Sequence, residues 1–586
     1  MAYVVAVDIG GTFTDLVAFD HDSQKAAYTK SPTTYGNFVD GILDCFGKAK
    51  IEPSATRFFN HGTTLVINSL IQRRGARAAL VTSAGFRDVL EIARANRPDP
   101  FDLHYQRDEP LIPRELRFEV PERIDAKGQL ITPLDMAALE RLAEELKRLA
   151  VEAVAVFFMN SYLDASHEER AAALLKRMLP GVYVTSSTEL TREWYEYERC
   201  STAAANAYVG PQVNTYLRRL ESELQARGCT GSVFMMGSNG GLLSVDRTCR
   251  QPIALVESGP IGGCIGAGAY AEALGIENVV AFDMGGTTAK CALVEHGRFS
   301  VGSVYYANGY IKGFPIKSPV IDIVEVGSGG GSIIWLDQQR RLHVGPQSAG
   351  STPGPVCYGR GGTEPTVTDC NLALGRLNPD RFLGGELSLN SDLAKRAIAE
   401  RIATPLGYAG ESGIIEMAEG SLAIATVTMA GAIRRVSIEH GLDPRDFVLF
   451  CYGGGGPLHA SALARELAIK SVIIPPEPGN FSAIGMLLAD ARIDSAETFT
   501  GLLDDALVAT MRERFSALEK EGAAALTRDF GGAEIFFEHF AEMRYRGQRH
   551  NIKVPITGLT STAAIHEAFT RDYKRRYGHA DSKAPA

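Results

Sequence analysis

The sequence lacks several features that mark whole classes of protein. Its nine cysteines are scattered and odd in number, without the close pairs that zinc sites use. The longest apolar runs, such as 151–159, are far shorter than the roughly 20 residues needed to cross a bilayer. The chain enters a strand at once, without the basic and apolar regions of a secretory signal. We therefore expect reduced thiols, a cytoplasmic location and no membrane partner.

Long basic runs and low-complexity linkers are also missing. The 60 Lys and Arg residues are outnumbered by 69 Asp and Glu residues, giving a net charge of −9, so nucleic acid is not an expected partner. The 586 residues are 45% hydrophobic and 22% charged, which is typical of a soluble globular protein. This length predicts two to four domains. Because no low-complexity linker separates them, we expect the domains to pack against one another.

Apolar strands alternate with amphipathic helices along the chain. The runs 4–7, 16–19 and 78–82 predict strands, with a helix beginning near Gly85. Helical spacing over 136–149 is followed by a strand at 153–158, and 394–433 is again helical. This alternation predicts α/β layers with a parallel or mixed sheet.

One phrase is written twice. VVAVDIGGTFTD at 4–15 and VVAFDMGGTTAK at 279–290 share seven of twelve residues. An aspartate at the end of a core strand is costly unless a cation or hydrogen bonds meet it, and hydrated Mg²⁺ does so well. The glycines allow backbone N–H groups to approach an anion. One such loop alone could be a structural hairpin, but two copies on two lobes predict a clamp for the phosphates of Mg·ATP.

This clamp gives the first candidate site. We assign Asp8 and Asp283 to catalysis and to Mg²⁺ or Mn²⁺ through water. Asp15 is a candidate to orient the attacking oxygen or a metal-bound water, the alternative being a turn-capping carboxylate. Lys290 occupies the equivalent position in the second copy, so the first lobe is the expected catalytic side. The predicted phosphate contacts are Gly10, Gly11, Thr12, Thr14, Gly285, Gly286, Thr287 and Thr288.

Three further glycine-rich phrases complete an ordered set. SGPIGGCIGAGAY at 258–270 precedes the second copy, and YGGGGPLHA at 452–460 and GNFSAIGMLLAD at 479–490 follow it. In this order the chain resembles the actin, hexokinase and Hsp70 superfamily. The resemblance implies two duplicated lobes with an ATP cleft between them, an inserted N-terminal α/β region, and two small-residue helices crossing at the hinge. It places Gly453, Gly454, Gly455 and Gly456 against the adenosine.

Other candidates have a functional and a structural interpretation. Gly329, Gly330 and Gly331 could form a second anion-binding nest or a tight crossing. His61, in NHGTT, could be an acid or base, could hold the transferred phosphoryl oxygen, or could be a satisfied structural histidine.

The remaining candidates are single side chains. Arg94, Arg97 and Arg114 could bind an anionic substrate group or a partner, or be solvated. Glu198 and Arg199 could shape the substrate side or form a helix-face ion pair, and His459 could approach the base or ribose or pack at a helix start. A catalytic cysteine among Cys264, Cys357 and Cys451 stays open beside the interpretation as buried filler.

Longer phrases resemble the A subunit of the hydantoinase, 5-oxoprolinase and acetone carboxylase family. They are HGTTLVINSLIQRRGARAALVTSAGFRDVLEIAR at 61–94, YERCSTAAANAYVGP at 197–211, DIVEVGSGGGSI at 322–333, VGPQSAGSTPGPVCYGRGGTEPTVTD at 344–369 and RYRGQ at 544–548. The resemblance implies ATP hydrolysis coupled to work on an unreactive carbonyl, enol or bicarbonate. It also implies a B-type partner subunit, which could hold a further metal, and a small-molecule substrate.

Two departures bear on the branch. Hydrolase-like members read Asp-Ile-His-Thr where this chain reads Asp322-Ile323-Val324-Glu325, which favours the carboxylase branch. Family chains also continue past YGH with a strand-rich segment; a separate small subunit or a shortened sequence would explain the difference. We expect an ATP-dependent ketone carboxylase subunit. The alternatives are an ATP-dependent cyclic-amide hydrolase subunit and an ATPase switch that carboxylates nothing.

Three regions are predicted. They are an N-terminal region at 1–200, an ATPase region at 201–495, and a C-terminal region at 496–586.

Overall fold

The fold begins with a lobe that an insertion interrupts. The computed structural model describes residues 3–11, 13–34, 37–382, 385, 387–532 and 534–586. Val5, Ala6 and Val7 of the first strand are fully buried, as expected of a β-branched strand covered on both faces. The elements before the insertion are β1 (Tyr3–Ile9), β2 (Phe13–Asp20), β3 (Lys25–Pro32), α1 (Phe38–Ala49), β4 (Thr56–Thr63) and α2 (Leu65–Ile71).

The insertion is a small α/β unit with its own core. Its elements are β5 (Ala78–Ser83), α3 (Val89–Ile92), β6 (Arg117–Val120), β7 (Arg123–Ile124), β8 (Leu130–Thr132), α4 (Met136–Arg148), β9 (Ala153–Phe157), α5 (Ser166–Met178), β10 (Tyr183–Ser186) and α6 (Ser187–Leu190). The parallel sheet has the order β10-β9-β5-β6. The chain segments that enter and leave this unit are adjacent, since the N–H of Ala76 donates a hydrogen bond to the carbonyl of Tyr208 at 2.8 Å. The helix predicted near Gly85 is only the four-residue α3.

After the insertion the chain returns to the first lobe and then builds a second one. The returning elements are α7 (Glu196–Ala226), β11 (Ser232–Met236), β12 (Leu242–Ser244), α8 (Val245–Arg250) and α9 (Ser258–Leu274). The elements that follow are β13 (Asn278–Met284), β14 (Ala289–Glu295), β15 (Arg298–Phe299), β16 (Val301–Gly302), β17 (Tyr305–Ala307), α10 (Gly309–Lys312), β18 (Phe314–Ile316), β19 (Val320–Ile321), β20 (Val324–Val326), β21 (Ser332–Leu336), β22 (Leu342–Ser348), α11 (Val367–Ala373), α12 (Ser391–Ile398), α13 (Gly410–Ile438), β23 (Val448–Tyr452), α14 (Gly456–Leu467), β24 (Val472–Ile473) and α15 (Phe481–Leu487). Most of them build the second lobe, whereas β17 and β18 pack against the core of the first lobe.

The two lobes repeat one strand order. The first sheet contains β3-β2-β1-β4-β11, and the second contains β15-β14-β13-β23-β24. In the first sheet β1 and β2 are antiparallel, β4 pairs in parallel with β1, and β11 pairs in parallel with β4. In the second sheet β13 and β14 are antiparallel, β23 pairs in parallel with β13, and β24 pairs in parallel with β23. The predicted α/β fold with two duplicated lobes and an inserted N-terminal α/β region is therefore confirmed.

Helices α9 and α15 cross between the two sheets. An added Cβ on Gly485 would lie 1.7 Å from the carbonyl oxygen of Gly262, and one on Gly262 would lie 2.2 Å from that of Ser482. Only glycine permits backbones this close. Ala6 of the first sheet and Ala281 of the second belong to one buried cluster with residues of both helices. The predicted crossing of two small-residue helices is therefore observed.

A C-terminal unit and one long apolar helix complete the fold. The unit consists of α16 (Asp505–Phe530), β25 (Phe540–Met543), β26 (Ile552–Pro555) and α17 (Thr562–Tyr577), with its own apolar core. By length and composition alone α13 could cross a membrane, but half of its most apolar window is buried inside the protein. Such burial is what a core helix shows.

Candidate active site

The two copies of the repeated phrase form the same tight turn. In the first, the N–H of Gly10 donates to the carbonyl of Phe13 at 2.9 Å; in the second, Gly285 donates to Thr288 at 3.1 Å. Gly11, Gly286 and Thr287 are exposed at the tips of these hairpins. The tips are therefore accessible to a ligand, as the sequence predicts. Thr12 lies outside the described residues.

Three carboxylates gather below the tips. Asp8 and Asp15 are cross-strand partners in the β1–β2 hairpin, so their side chains lie on one face of the first sheet. Burial raises the pKa of Asp8 well above its usual range, and the negative charges of Asp15 and Asp283 raise it further. Burial likewise raises the pKa of Asp283 to about 6. The hairpins of the two lobes thus bring their acidic residues within electrostatic reach of one another.

Two lysines balance part of this negative charge. Lys30 pairs with Asp15 and donates to the carbonyl of Gly479 at 3.3 Å. Lys290 lies opposite Asp283 in the β13–β14 hairpin, and it lies 3.7 Å from Glu257 and 3.6 Å from Glu325. Burial alone would lower the pKa of Lys290, but Glu257 and Glu325 together with the aspartates raise it above its usual value. Lys290 is therefore a fixed positive charge beside the acidic cluster.

Sequence reasoning noticed Lys290 only as an asymmetry and missed its partners. Tyr305 donates a 2.6 Å hydrogen bond to Glu257, which extends the network by one residue. Glu325 faces Lys290 because β20 pairs with β14, a pairing between residues 35 positions apart. Glu325, part of the departure from Asp-Ile-His-Thr, thus places a carboxylate against Lys290. The sequence signal for this network is that the second copy of the phrase has Lys290 where the first has Asp15.

The carboxylates fit a hydrated cation held together with phosphates. Oδ1 of Asp8 is shielded from solvent and has no hydrogen-bond partner among the described residues. It lies beside the positions of Gly62 and Gly259, where an added Cβ would come within 3.2 and 3.7 Å. No group of three or more His, Cys, Asp or Glu side chains in the described part of the chain is arranged to hold a metal alone. Water and phosphate oxygens would complete the shell that Mg²⁺ prefers.

The four-glycine loop packs against the second hairpin. Gly453 has a φ of +78°, and an added Cβ would lie 2.2 Å from Oδ1 of Asp283. Gly455 donates its N–H to the carbonyl of Met284 at 2.8 Å, and Gly456 begins α14. Gly454 is exposed, with nothing within 4 Å of an added Cβ. The loop predicted for adenosine therefore lies next to Asp283, and its open surface is at Gly454.

The Gly329–331 loop fits the structural alternative better than an anion nest. Gly330 and Gly331 donate their N–H groups to the carbonyls of Gly285 and Gly286 at 3.1 and 2.7 Å, and Gly329 donates to Ser332. All three amides are thus already bonded to protein acceptors. The loop is a tight crossing that supports the second hairpin from behind.

Two predicted site residues point away from the carboxylates. His61 pairs with Val7 across β4 and β1, one position before the pair of Gly62 with Asp8, so its ring lies on the other sheet face. There Nδ1 contacts the Val7 carbonyl at 3.0 Å and Nε2 contacts the Tyr216 hydroxyl at 2.6 Å. Burial lowers the pKa of His61 to about 4. The structure therefore contradicts an acid–base role for His61 and favours a satisfied, neutral core histidine.

Thr14 is displaced for the same reason. It pairs with Ile9, so its side chain leaves the face that carries Asp8 and Asp15. Its hydroxyl lies 3.2 Å from where a Cβ on Gly41 of α1 would be. The prediction that Thr14 contacts phosphate is wrong for this geometry. Thr288 stays at the second hairpin, where its carbonyl closes the turn and its residue is half-buried.

The other isolated candidates have structural roles. His459 faces Asn371, and burial lowers the pKa of its ring to about 4. All nine cysteines are buried, and burial raises the pKa of Cys264 to about 12. Cys357 and Cys451 are shifted in the same direction. A thiolate nucleophile at these positions is therefore not supported.

Glu198 and Arg199 have different partners. Glu198 binds Arg94, with Nε to Oε1 at 3.0 Å. Arg199 is buried against Glu168 at 3.3 Å. Arg114 pairs with Asp88 on the exposed surface, and Arg97 contacts the carbonyl of Asp102 at 3.4 Å.

Comparison with known families matches most of the chain. A family model described as Hydantoinase/oxoprolinase matches residues 199–495, and its N-terminal region model matches residues 4–179. The chain is 36% identical to the caprolactamase subunit alpha of Pseudomonas jessenii, covering all of this chain and 85% of that subunit. It is 35% identical to the acetophenone carboxylase gamma subunit of Aromatoleum aromaticum, covering 83% and 68% of the two chains.

Two solved structures, of a caprolactamase and an acetone carboxylase, also resemble the chain. The ATP-dependent caprolactamase of Pseudomonas jessenii superposes with a TM-score of 0.86 at 34% identity, covering 99% of this chain and 85% of that one. A nucleotide-free acetone carboxylase superposes with a TM-score of 0.76 at 26% identity, covering 100% and 86%.

Proposed function

The chain belongs to the hydantoinase/oxoprolinase family, and from this premise we propose that it uses ATP to activate the carbonyl oxygen of a small molecule. The observation that carries the proposal is the pair of matching turns, one in each lobe, whose aspartates Asp8 and Asp283 are close enough to interact electrostatically. Relatives whose names describe a reaction include a caprolactamase and ketone carboxylases, and two of them are described as ATP-dependent.

The side chains supply positioning and charge. Asp8 and Asp283 would hold Mg²⁺ through water, and the ion would neutralise phosphate charge when bound. The exposed hairpin tips offer backbone N–H groups to the phosphates. Lys290, kept charged by Glu257 and Glu325, adds a positive charge where negative charge develops.

Phosphoryl transfer depends mainly on such positioning. The bond from the γ-phosphorus to the ADP oxygen breaks, and a bond to the substrate oxygen forms.

Two substrate classes share this step. Phosphorylating an enol oxygen or bicarbonate would prepare a ketone for carboxylation, and Val324 in place of histidine favours this class. Phosphorylating an amide oxygen would prepare a cyclic amide for hydrolysis, and the 36% identity to a caprolactamase subunit along the whole chain favours that class. We propose the ketone carboxylase and the cyclic-amide hydrolase as equal candidates.

The proposal includes a partner. The similar proteins are named as subunits: caprolactamase alpha, acetophenone carboxylase gamma and acetone carboxylase beta. We propose that this chain joins a B-type subunit, which would complete the chemistry on the activated substrate, and that the assembly is cytoplasmic. The domain limits at 200 and 495 remain predictions.

ADP release by the chain purified with its partner tests the proposal. The arms are ketones with bicarbonate, cyclic amides, and ATP alone. Asp8→Asn is expected to lower turnover by about 10²-fold or more, because the variant lacks the negative charge that would attract the cation. Asp20→Asn, at the half-buried end of β2 away from the hairpin tip, is the control that should retain turnover. Stimulation by cyclic amides alone would eliminate the carboxylase, and full activity of Asp8→Asn would refute the role of the hairpins.

A further inference from the structure

A large cavity separates the C-terminal unit from the second lobe. It encloses about 1050 Å³ and extends to the start of α7 and the inserted unit. Its lining includes nine Lys and Arg side chains but six Asp and Glu side chains, whereas the whole chain has a net charge of −9. A concave surface that concentrates one sign of charge attracts ligands of the opposite sign. The cavity is therefore a positive region in an acidic protein.

The cavity is separate from the site of phosphoryl transfer. Tyr305 of β17 donates to Glu257 at 2.6 Å, and Glu257 belongs to the charge cluster around Lys290. Tyr306, the next residue, lines the cavity instead. Because successive side chains of a strand point to opposite faces, β17 lies between the cavity and the carboxylates. A ligand of this cavity therefore has a role other than accepting the phosphoryl group.

Some cations of the lining have carboxylate partners and others have none. The pairs are Arg94 with Glu198, Lys317 with Glu193, Arg298 with Glu538, Arg492 with Asp494 and Arg575 with Glu295. The cations of the lining that form no ion pair among the described residues are Arg107, Arg549, Lys553 and Arg576. Of the lining carboxylates, only Glu542 has no cationic partner in the described part of the chain. Three positive charges of the lining are therefore uncompensated.

Three of the unpaired cations belong to the C-terminal unit and form what we name the basic wall: Arg549, Lys553 and Arg576. Lys553 lies in β26 between Ile552 and Val554, which are buried in the core of this unit, so its side chain points to the other face of the strand. Arg549 lies in the connection between β25 and β26, and Arg576 lies in α17. A hairpin and a helix thus present three cationic side chains to one side of the cavity.

The basic wall faces the second lobe at short range. Nζ of Lys553 donates to the carbonyl of Val301 in β16 at 3.4 Å. A hydrogen bond with Asp322 raises the pKa of His440, which follows α13, and the positive charge of Arg576 opposes this rise. Arg576 is therefore within electrostatic reach of the second lobe. A ligand at the basic wall would lie against both units.

The direct ion pairs between the two units are weak. Arg298 and Glu538 are 3.1 Å apart, but their side chains are 76% and 45% exposed. Arg575 and Glu295 are 3.9 Å apart. Exposed ion pairs of this kind contribute little to stability because water screens them. A ligand that binds several cations at once would therefore strengthen the contact between the units.

We propose that the basic wall binds a small multivalent anion with carboxylate or phosphate groups, and that the bound anion ties the C-terminal unit to the second lobe. The guanidinium groups of Arg549 and Arg576 match the oxygens of both groups through paired hydrogen bonds, and Lys553 adds a point charge. The cavity volume suits a small molecule. The inference goes beyond the proposed function, because this anion neither donates nor accepts the phosphoryl group.

Calorimetric binding to the full chain, alone and with its partner subunit, tests the site. The probes are tricarballylate for carboxylates and pyrophosphate for phosphates. Lys553→Gln and Arg549→Gln each remove one charge and should weaken binding by about 10-fold or more, as expected for a lost hydrogen bond between charged groups. Arg546→Gln is the matched control, because Arg546 is exposed in the same connection but does not line the cavity. A bound probe should also raise the midpoint of thermal unfolding of the wild type more than that of Lys553→Gln.

The outcomes are distinct. Binding that weakens in Lys553→Gln and Arg549→Gln but not in Arg546→Gln supports the site, and the probe that binds more tightly identifies the chemical group. Equal binding by all variants would place the anion elsewhere, such as at the phosphate hairpins, and refute the site. Binding by the chain alone but not by the complex would show that the partner covers the basic wall, which also refutes a small-molecule site. Absence of binding refutes it as well. None of these measurements depends on ATP turnover, so the proposed function stands or fails separately.

Discussion

Gly485→Ala places a methyl group where α15 crosses α9. The new carbon would lie 1.7 Å from the carbonyl oxygen of Gly262, whereas ordinary contacts begin at 3.4 Å. The obstacle is backbone, so it cannot rotate aside, and the two helices must separate by more than an ångström. Overpacking of this kind costs about 1–3 kcal/mol of unfolding free energy.

The same displacement should reach the ATP site. Asn60 of β4, three residues before the end of that strand, donates to the carbonyl of Met486 in α15 at 2.8 Å, and both sheets share a core with the crossing. Because a misplacement of about 1 Å can lower a rate by about 10²-fold, we expect turnover to fall by that order. Urea unfolding and ADP release measure the two effects.

Gly431→Ala is the matched control. Gly431 lies inside α13, and an added Cβ there meets nothing within 4 Å. Alanine is favoured over glycine in a helix interior by about 0.5–1 kcal/mol, so this variant should be more stable than the wild type with unchanged turnover. The two glycine-to-alanine changes thus have opposite predicted signs. Wild-type stability and turnover in Gly485→Ala would refute the close crossing.

Three further predictions concern single side chains. Burial raises the folded pKa of Asp283 above its unfolded value, so the wild type loses stability as pH rises from about 4 to about 6. Without nucleotide, Asp283→Asn should therefore be more stable than the wild type at pH 7, by up to about 3 kcal/mol, and should lose this gain at pH 4. The same variant should turn over ATP poorly. Tyr216→Phe removes the hydroxyl that contacts His61 and should lower the free energy of unfolding in urea by about 1 kcal/mol without changing the pH profile of turnover; an altered profile would restore an acid–base role. Lys290→Met leaves Glu257 and Glu325 unpaired and should lower turnover by about 10²-fold with a smaller effect in Lys290→Arg, whereas equal loss in both variants would contradict a role of its charge.

The elements that sequence predicts best are those whose signal is local. The strand expected at 78–82 is Ala78–Ser83, and the helix expected over 136–149 is Met136–Arg148, capped by Asp135. The repeated phrase gave both hairpins because strand, glycines and aspartate are adjacent in the chain. The helix expected at 394–433 is broken into Ser391–Ile398 and Gly410–Ile438, where Pro405 and Gly407 interrupt it.

Local sequence patterns do not predict which side chains meet in the candidate site. His61 stands one residue before Gly62, yet the register of β4 against β1 puts its ring on the other sheet face from Asp8. That register is a property of two strands about 50 residues apart and is invisible in NHGTT. Glu325 was noticed, but its partner Lys290 follows only from the pairing of β20 with β14. Pairing between distant strands, rather than residue type, decides which candidates meet.

The meeting of Ala76 with Tyr208 has a consequence for how this protein could arise and be rebuilt. The chain leaves the first lobe and re-enters it through backbone that is adjacent at Ala76 and Tyr208, at 2.8 Å. Helix α7, which carries Tyr208, also supplies Tyr197, Cys200, Ala203, Ala204 and Ala207 to the core of the inserted unit. Loss or exchange of this unit would therefore keep the path of the chain through the first lobe but would expose the apolar face of α7, so a replacement unit would have to cover that face.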